Sequence, residues 1–432
     1  MHFRAFILTG LLGLPAAPGL CGDLKITDYA PAGQIGWTNA LAPGVCTVET
    51  ATNALPGSWQ PGQNYFTTNS AGQGVVQPGA GCQFVRLLAV DVSTNTPQGY
   101  TNLLYSYGLL HTIAGAGDKG ADGTDYWKPA FEGGYATNAS LSRPHFAMAD
   151  EAGNVFIVDK DSHAVLKITL DGRIHTVAGT HSPGDNGDGP APATTLMLNQ
   201  PNGLFVYRDG AFFVLDTGNG RVRWVTTNGV MSTLFKVSGG IDTGRGLWVE
   251  DDGQAAIFSS GSALKAWNPT KGVFTLNKSF SELGNLIVPA TNYAIVTDRG
   301  ANKVYTVVTG GQDIGQRTVL FGDGSTHAVV DGTAALKSGL NGVRGIWDLP
   351  AGGYLLALDE GSQIIYVDPA DRVHVFLDGA DGAHSGDGAW FHSPGLKISQ
   401  GRSVTMDGRG NILFVENDSG YVRRIDFQRL AP

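Results

Sequence analysis

From residue 108 onward the chain alternates short apolar runs with turn residues, on a period too short for helices. Val155-Phe156-Ile157-Val158, Phe212-Phe213-Val214-Leu215, Ala255-Ala256-Ile257-Phe258, Tyr293-Ala294-Ile295-Val296, Tyr354-Leu355-Leu356-Ala357-Leu358 and Asn411-Ile412-Leu413-Phe414-Val415 are each flanked by Gly, Asn or Asp. Short runs with such punctuation predict buried β-strands. A recurring start precedes each of them: Pro144-His145-Phe146, Pro201-Asn202-Gly203, Gly244-Arg245-Gly246, Gly284-Asn285-Leu286, Val343-Arg344-Gly345 and Gly401-Arg402-Ser403. Starts at 144, 201, 244, 284, 343 and 401 lie 40 to 59 residues apart, which suits one four-stranded unit and a variable loop.

The two ends of this region complement one another. After the strand-like Tyr421-Val422-Arg423-Arg424-Ile425 only seven residues remain, too few for another strand and its turn. At the front, Leu109-Leu110-His111-Thr112-Ile113-Ala114-Gly115 reads as a last strand with no unit before it. Pairing the two covers an open sheet edge, a liability in any β-protein. The expectation over residues 108–432 is an all-β, six-bladed β-propeller closed by that pairing.

Residues 23–101 have a different texture. Leu24-Lys25-Ile26, Gln34-Ile35-Gly36-Trp37, Cys46-Thr47-Val48-Glu49 and Phe84-Val85-Arg86-Leu87-Leu88-Ala89-Val90 read as strands between Pro- and Gly-rich turns. With Trp37 and Trp59 available for a core, they predict a small β-sandwich-like module. Before it, His2 and Arg4 precede the apolar run Ala5–Leu14, then Pro15, small residues and Gly22. That order reads as a signal peptide over 1–22, so the expected location is secreted, extracellular or periplasmic. Leu20 stands where a lipoprotein cysteine such as Cys21 would need a small neighbour, so cleavage is favoured over lipid anchoring. Cys46 and Cys82 then remain, and an even pair in an exported chain predicts one disulfide.

Composition narrows the function classes. With 62 Gly and 16% charged residues, the chain is turn-rich and fits an all-β fold. A net charge of −9 argues against a nucleic-acid partner, which needs a clustered basic face. No interior run is long and apolar enough to predict a membrane span. No nucleophile elbow, phosphate loop or His-Glu-x-x-His helix is present.

The Pro-x-Gly starts, the turn Asp216-Thr217-Gly218-Asn219, the strand Thr176-Val177-Ala178-Gly179 and the linker Gly187-Asp188-Gly189-Pro190-Ala191-Pro192-Ala193-Thr194 resemble the NHL-repeat six-bladed propeller family. The resemblance is strong in the first two copies and the last, and weak in the third and fourth. It implies a ligand site at a central mouth, with the middle residue of each start facing it. Those residues are His145, Asn202, Arg245, Asn285, Arg344 and Arg402. Pro144-His145 is also similar to blade starts of the peptidyl-α-hydroxyglycine amidating lyases, where histidines hold zinc. The other five positions are Asn or Arg, so the likeness supports a single ligand position and zinc is not expected. Asp185-Asn186-Gly187-Asp188-Gly189 offers oxygen ligands for Ca²⁺ but lacks the spacing of a calcium loop, and family turn sequence is the favoured reading.

Three arginines at one repeat position suit carboxylate, sulfate or phosphate, through their planar donor forks. The expected partner is an anionic small molecule or an acidic polysaccharide, with no cofactor required. The competing reading pairs each Arg with an acid at a second-strand end, Asp159, Asp216, Asp298, Asp359 or Glu416. Tyr126, Trp127, His181, His327, His384, Trp390, Phe391 and His392 add aromatics and imidazoles from the long loops. Two alternatives stay open: a lyase or hydrolase acting on an anionic substrate in the mouth, and a protein-interaction scaffold.

Overall fold

The computed structural model describes residues 6–7, 24–30, 33–53, 55, 57–76, 84–93, 97–117, 123–379 and 384–430. Past residue 108 its strands form six antiparallel sheets, designated I to VI in chain order of their first strands. These first strands are Pro144–Ala149, Pro201–Val206, Leu247–Val249, Leu283–Ala290, Val343–Asp348 and Gly401–Met406. In sheets I to V the next three strands follow in sequence, and Ala191–Pro192 adds a short edge to sheet II. Sheet VI draws its fourth strand, Leu110–Ala114, from the front of the region. That strand pairs antiparallel with Tyr421–Ile425, Ile425 opposite Leu110 and Arg424 opposite His111, as the incomplete ends predict.

The first strand of each sheet lies against that of the next, and the first strand of sheet VI returns to that of sheet I. Apolar side chains fill every seam of this ring. Phe146 and Val158 of sheet I meet Leu204 and Val214 of sheet II, and the series continues round until Val415 and Val422 of sheet VI meet Ala147 and Ile157 of sheet I. Both faces of a sheet are therefore buried, which explains why the second strands read as continuous apolar runs. The fold is all-β and propeller-like.

Ahead of the ring lie two further sheets. One contains Lys25–Tyr29, Gln34–Thr38 and Gly72–Val75; the other contains Gly44–Ala51, Gln60–Thr67 and Phe84–Asp91. They share a core of Ile35, Trp37, Cys46, Val48 and Val76, and Trp59 is buried as well. Of the expected leader only Phe6 and Ile7 are described, as a two-residue strand parallel to Phe84 and Val85. Cys46 is a buried free thiol among the described residues, and desolvation pushes its pKa up to about 12. Its expected partner, Cys82, lies outside the described residues.

Two elements differ from expectation. A helix spans Pro97–Tyr105, burying Tyr100, Leu103 and Leu104. These side chains join Tyr107 in one core with Leu355 and Tyr366 of sheet V and Phe414 and Phe427 at sheet VI. In sheet III the first strand begins at Leu247, so Arg245 precedes it.

Candidate functional site

The middle residue of each recurring start has a backbone reason to leave the ladder. Pro144 pairs with Asp159 and Phe146 with Val158, so His145 has no counterpart in the second strand. Asn202 is skipped between Pro201 and Gly203, and Arg344 between Val343 and Gly345. Asn285 falls within the irregularity between Leu283 and Leu286, and Arg402 within that between Gly401 and Val404. Such bulges turn a side chain out of the sheet's alternation. In sheet III the Ser259 hydroxyl accepts from the backbone N–H groups of Arg245 and Gly246, both at 2.8 Å, while the Ser259 backbone N–H donates to the Gly246 carbonyl at 3.0 Å. The adjacent glycines let the inner strands approach closely. A Cβ on Gly203 would lie 2.7 Å from the Arg245 carbonyl oxygen, and one on Gly284 2.6 Å from that of Arg344.

The acids ending the second strands have a second repeated duty. Asp159 accepts from the Ser142 amide at 2.7 Å, Asp216 from Asn199 at 2.8 Å, Asp298 from Ser281 at 2.9 Å and Glu416 from Ser399 at 2.9 Å. Each tethers the segment entering its own sheet. Sheet V departs from this pattern. The Gly342 amide is taken by the Asn302 side chain at 2.8 Å, and the fully buried Asp359 turns to arginines instead.

Around Asp359 a connected network forms. Its Oδ2 accepts from Arg344 Nε at 2.5 Å and Arg299 Nε at 2.9 Å, while its Oδ1 lies 3.4 Å from Arg402 Nε. Glu282 is the second hub, 2.9 Å from Arg245 Nη2, 2.9 Å from Arg299 Nη1 and 3.6 Å from Arg344 Nη2. Asp418 lies 3.6 Å from Arg402 Nη2, and Asn285 Nδ2 donates to the Arg402 carbonyl at 3.2 Å. Sheets III to VI thus meet in one place. Internal pairing holds for these arginines, but through Glu282, Asp418 and the single strand-end acid Asp359. Among the described residues these arginines do not pair with Asp159, Asp216, Asp298 or Glu416; all four hold backbone amides, and Asp216 and Glu416 also pair with Arg223 and Arg423 of their own third strands.

Pairing is incomplete, however. Arg299 has all three nitrogens engaged, by Glu282, Asp359 and Glu360. Arg245 Nε, Arg344 Nη1 and Arg402 Nε are buried without a hydrogen-bond partner among the described residues, as are His145 Nε2, Asn202 Oδ1 and the acceptor Asp359 Oδ1. Burial pulls the pKa of Arg245, Arg344 and Arg402 down, with neighbouring arginines contributing in each case. His145 is held well below the usual imidazole range by burial first, then by Arg402, Lys160, Arg245 and Arg344. Its neutrality therefore reflects desolvation first and the neighbouring cations second. Nothing in the contacts ties Asn202 to the carboxylate hubs.

The loop residues go elsewhere. Trp390 stacks on Tyr105 at 5.3 Å and Phe391 is wholly buried, so both pack the helix down. His392 faces the Phe376 carbonyl, His327 faces Asp323, and Trp127 stacks on His181 at 4.8 Å. His384 lies between Thr112 and the buried Glu416–Arg423 pair. Asp185 and Asp188, whose oxygens suited Ca²⁺, form salt bridges with Arg221, Arg223 and Lys236. Arg299 and Glu282 were not singled out from the sequence. Their signal was positional, Arg299 directly after the second-strand acid Asp298 and Glu282 directly before a first strand.

No family model matches the chain, and no curated protein matches it. Among solved structures, a protein of unknown function from Bacteroides thetaiotaomicron VPI-5482 superposes with a TM-score of 0.57 at 13% identity, over 93% of this chain and 97% of its own. An auxiliary nutrient binding protein from the same strain gives 0.55 at 14% identity, covering 94% and 98%. Another from Bacteroides ovatus ATCC 8483 gives 0.55 at 13%, covering 95% and 99%. At these identities the likeness shows the fold alone. It extends over nearly the whole chain, N-terminal sheets included.

Proposed function

We propose that this chain is a secreted, six-bladed propeller of the NHL type that binds the anionic group of an extracellular ligand at its arginine mouth. The observation that carries this reading is the pair of buried, unpartnered donors, Arg245 Nε and Arg344 Nη1, beside arginines already sharing their carboxylates. A carboxylate or sulfate oxygen is acceptor-only and would satisfy both donors while offsetting the mutual repulsion of the guanidinium groups. That two neighbours of similar fold are auxiliary nutrient binding proteins favours a binding role. On this reading residues 1–22 are the leader, 23–101 a separate sandwich-like module, and 108–432 the ring. Small carboxylates and acidic oligosaccharides titrated calorimetrically into wild type, Arg245→Ala and Arg344→Ala test it. Each variant should weaken binding by about 1–3 kcal/mol, and added salt should weaken it further. If no anion binds, or if both variants unfold, the arginines are structural partners of Glu282 and Asp359 and the reading fails.

Export carries its own test, because the Cys46–Cys82 bridge belongs to the same proposal. Intact mass after alkylation, with and without prior reduction, should show no accessible thiol until reductant is added. Two alkylated cysteines in the unreduced, unfolded chain would remove the bridge. One observation favours a catalytic second reading, a lyase or hydrolase: the Nε2 of His145, buried beside the arginines, is unengaged among the described residues, and a bound anion that offset those cations would restore its basicity. Turnover of any bound anion, lost in His145→Gln while binding persists, would establish it over simple binding.

A further inference from the structure

A cleft lined by none of the clustered arginines lies where the N-terminal sheets meet sheet VI. It encloses about 600 Å³ between the strand Gln60–Thr67, the strand Gly72–Val75 and the turn Asp407–Gly410. That is within the ordinary range for a small-molecule site. Its chemistry is the reverse of the mouth's. Only Asp407 and Arg409 among the lining residues are charged, and the rest are neutral, a mixture of amides, hydroxyls, aromatics and apolar or small residues. Asp407 is fully occupied by its own turn, accepting from the Arg409 and Asn411 amides and from Asn411 Nδ2.

Two lining side chains are buried with an unspent polar atom. Trp37 is 2% exposed and its Nε1 has no hydrogen-bond partner among the described residues. Asn64 is 1% exposed; its Nδ2 donates to the Ser106 carbonyl at 2.7 Å, but its Oδ1 has no partner among the described residues. One orphan is a donor and the other an acceptor. An anion could serve only the first and a cation only the second, whereas a hydroxyl can serve either. The walls supply what the rest of a sugar needs. Trp37 and Tyr65 lie with ring centroids 5.7 Å apart, and Tyr65 Oη is held by the Val75 amide at 2.8 Å. Gln63 is fixed across the seam by donating to the Arg409 carbonyl at 3.0 Å, and the exposed Gln73 stands at the rim.

We propose that this seam is a binding site for a neutral saccharide, distinct from the anion mouth. Hydroxyl groups take up the indole N–H and the Asn64 carbonyl oxygen, the amides of Gln63 and Gln73 contact the outer hydroxyls, and apolar ring faces lie against the half-buried Tyr65 and Phe66. Because the seam is built jointly by the N-terminal sheets and sheet VI, it exists only while the two are docked.

The test is calorimetric titration of maltotriose, cellotriose, mannotriose and xylotriose into the full chain, wild type and variants. At least one should bind, and Gln73→Ala, at an exposed position with no structural duty, should weaken it by about fivefold or more. Asn64→Ala should weaken it further, with a melting curve recorded to separate lost binding from lost fold. Absence of binding at millimolar sugar, or equal affinity in wild type and Gln73→Ala, would each overturn the proposal and leave the seam as solvated packing.

Discussion

His145 is buried beside cations and is neutral in the folded protein at ordinary pH. In the unfolded chain the same imidazole takes up its proton near pH 6.5. The folded pKa is lowered, so the unfolded state binds more protons once pH falls below about 6.5, and stability is lost on acidification from that point. Above it this contribution is fully present. His163 and His181 are shifted in the same direction by burial and add to the slope. We expect melting midpoints recorded from pH 7.5 down to 5 to fall more steeply for wild type than for His145→Asn; parallel curves would show that His145 is not what is being strained. The ring positions themselves were legible, since a repeat index assigns equivalent places to His145, Arg245, Arg344 and Arg402. Their partners were not. Asp216 holds both an amide and Arg223, whereas Asp359 holds only arginines because Asn302 takes the Gly342 amide, a contact across 40 residues that no local pattern records.

At the scale of elements one device recurs, a first strand held at its entry by the carboxylate closing the strand beside it, in sheets I, II, IV and VI; sheet III uses the Ser260 hydroxyl and sheet V the Asn302 side chain instead. The repeat made the sheets legible because period, turn chemistry and apolar runs all agreed. The helix Pro97–Tyr105 was missed for the opposite reason. Its buried residues Tyr100, Leu103 and Leu104, continued by Tyr107, follow helical spacing, but Pro97 and Gly99 read as turn and the segment is short. Closure of sheet VI gives the prediction that belongs here. Deleting residues 420–432 removes Tyr421–Ile425 and leaves Leu110–Ala114 unpaired beside a two-stranded remnant. It also removes Arg423, whose buried pair with Glu416 secures the entry to the sheet. The truncated chain should lose the cooperative melting of the whole ring by calorimetry; an unchanged ring transition would mean that the pairing contributes no closure.

At the scale of the molecule, the question is whether the N-terminal sheets and the ring behave as one body. The seam is apolar and continuous at its centre. Phe427, 1% exposed, stacks on Phe66 of the N-terminal sheets at 4.3 Å and leans on Tyr107 at 4.8 Å. Tyr100 lies parallel to Tyr366 of sheet V at 6.0 Å and donates its hydroxyl to the Val375 carbonyl at 2.9 Å. Side-chain amides cross the same boundary, Asn64 to Ser106 and Gln428 to Pro61. An interface this apolar resembles a domain core, not the polar contact of independently mobile domains. Phe427→Ala should therefore cost about 3–5 kcal/mol, as for other large aromatic truncations in a core, and the cost should fall on both parts together. Calorimetry of wild type should show one transition, and the variant one transition at lower temperature. Two resolved transitions, with only the smaller displaced by the substitution, would instead make the N-terminal sheets a loosely tethered module and the seam a contact made and broken at equilibrium.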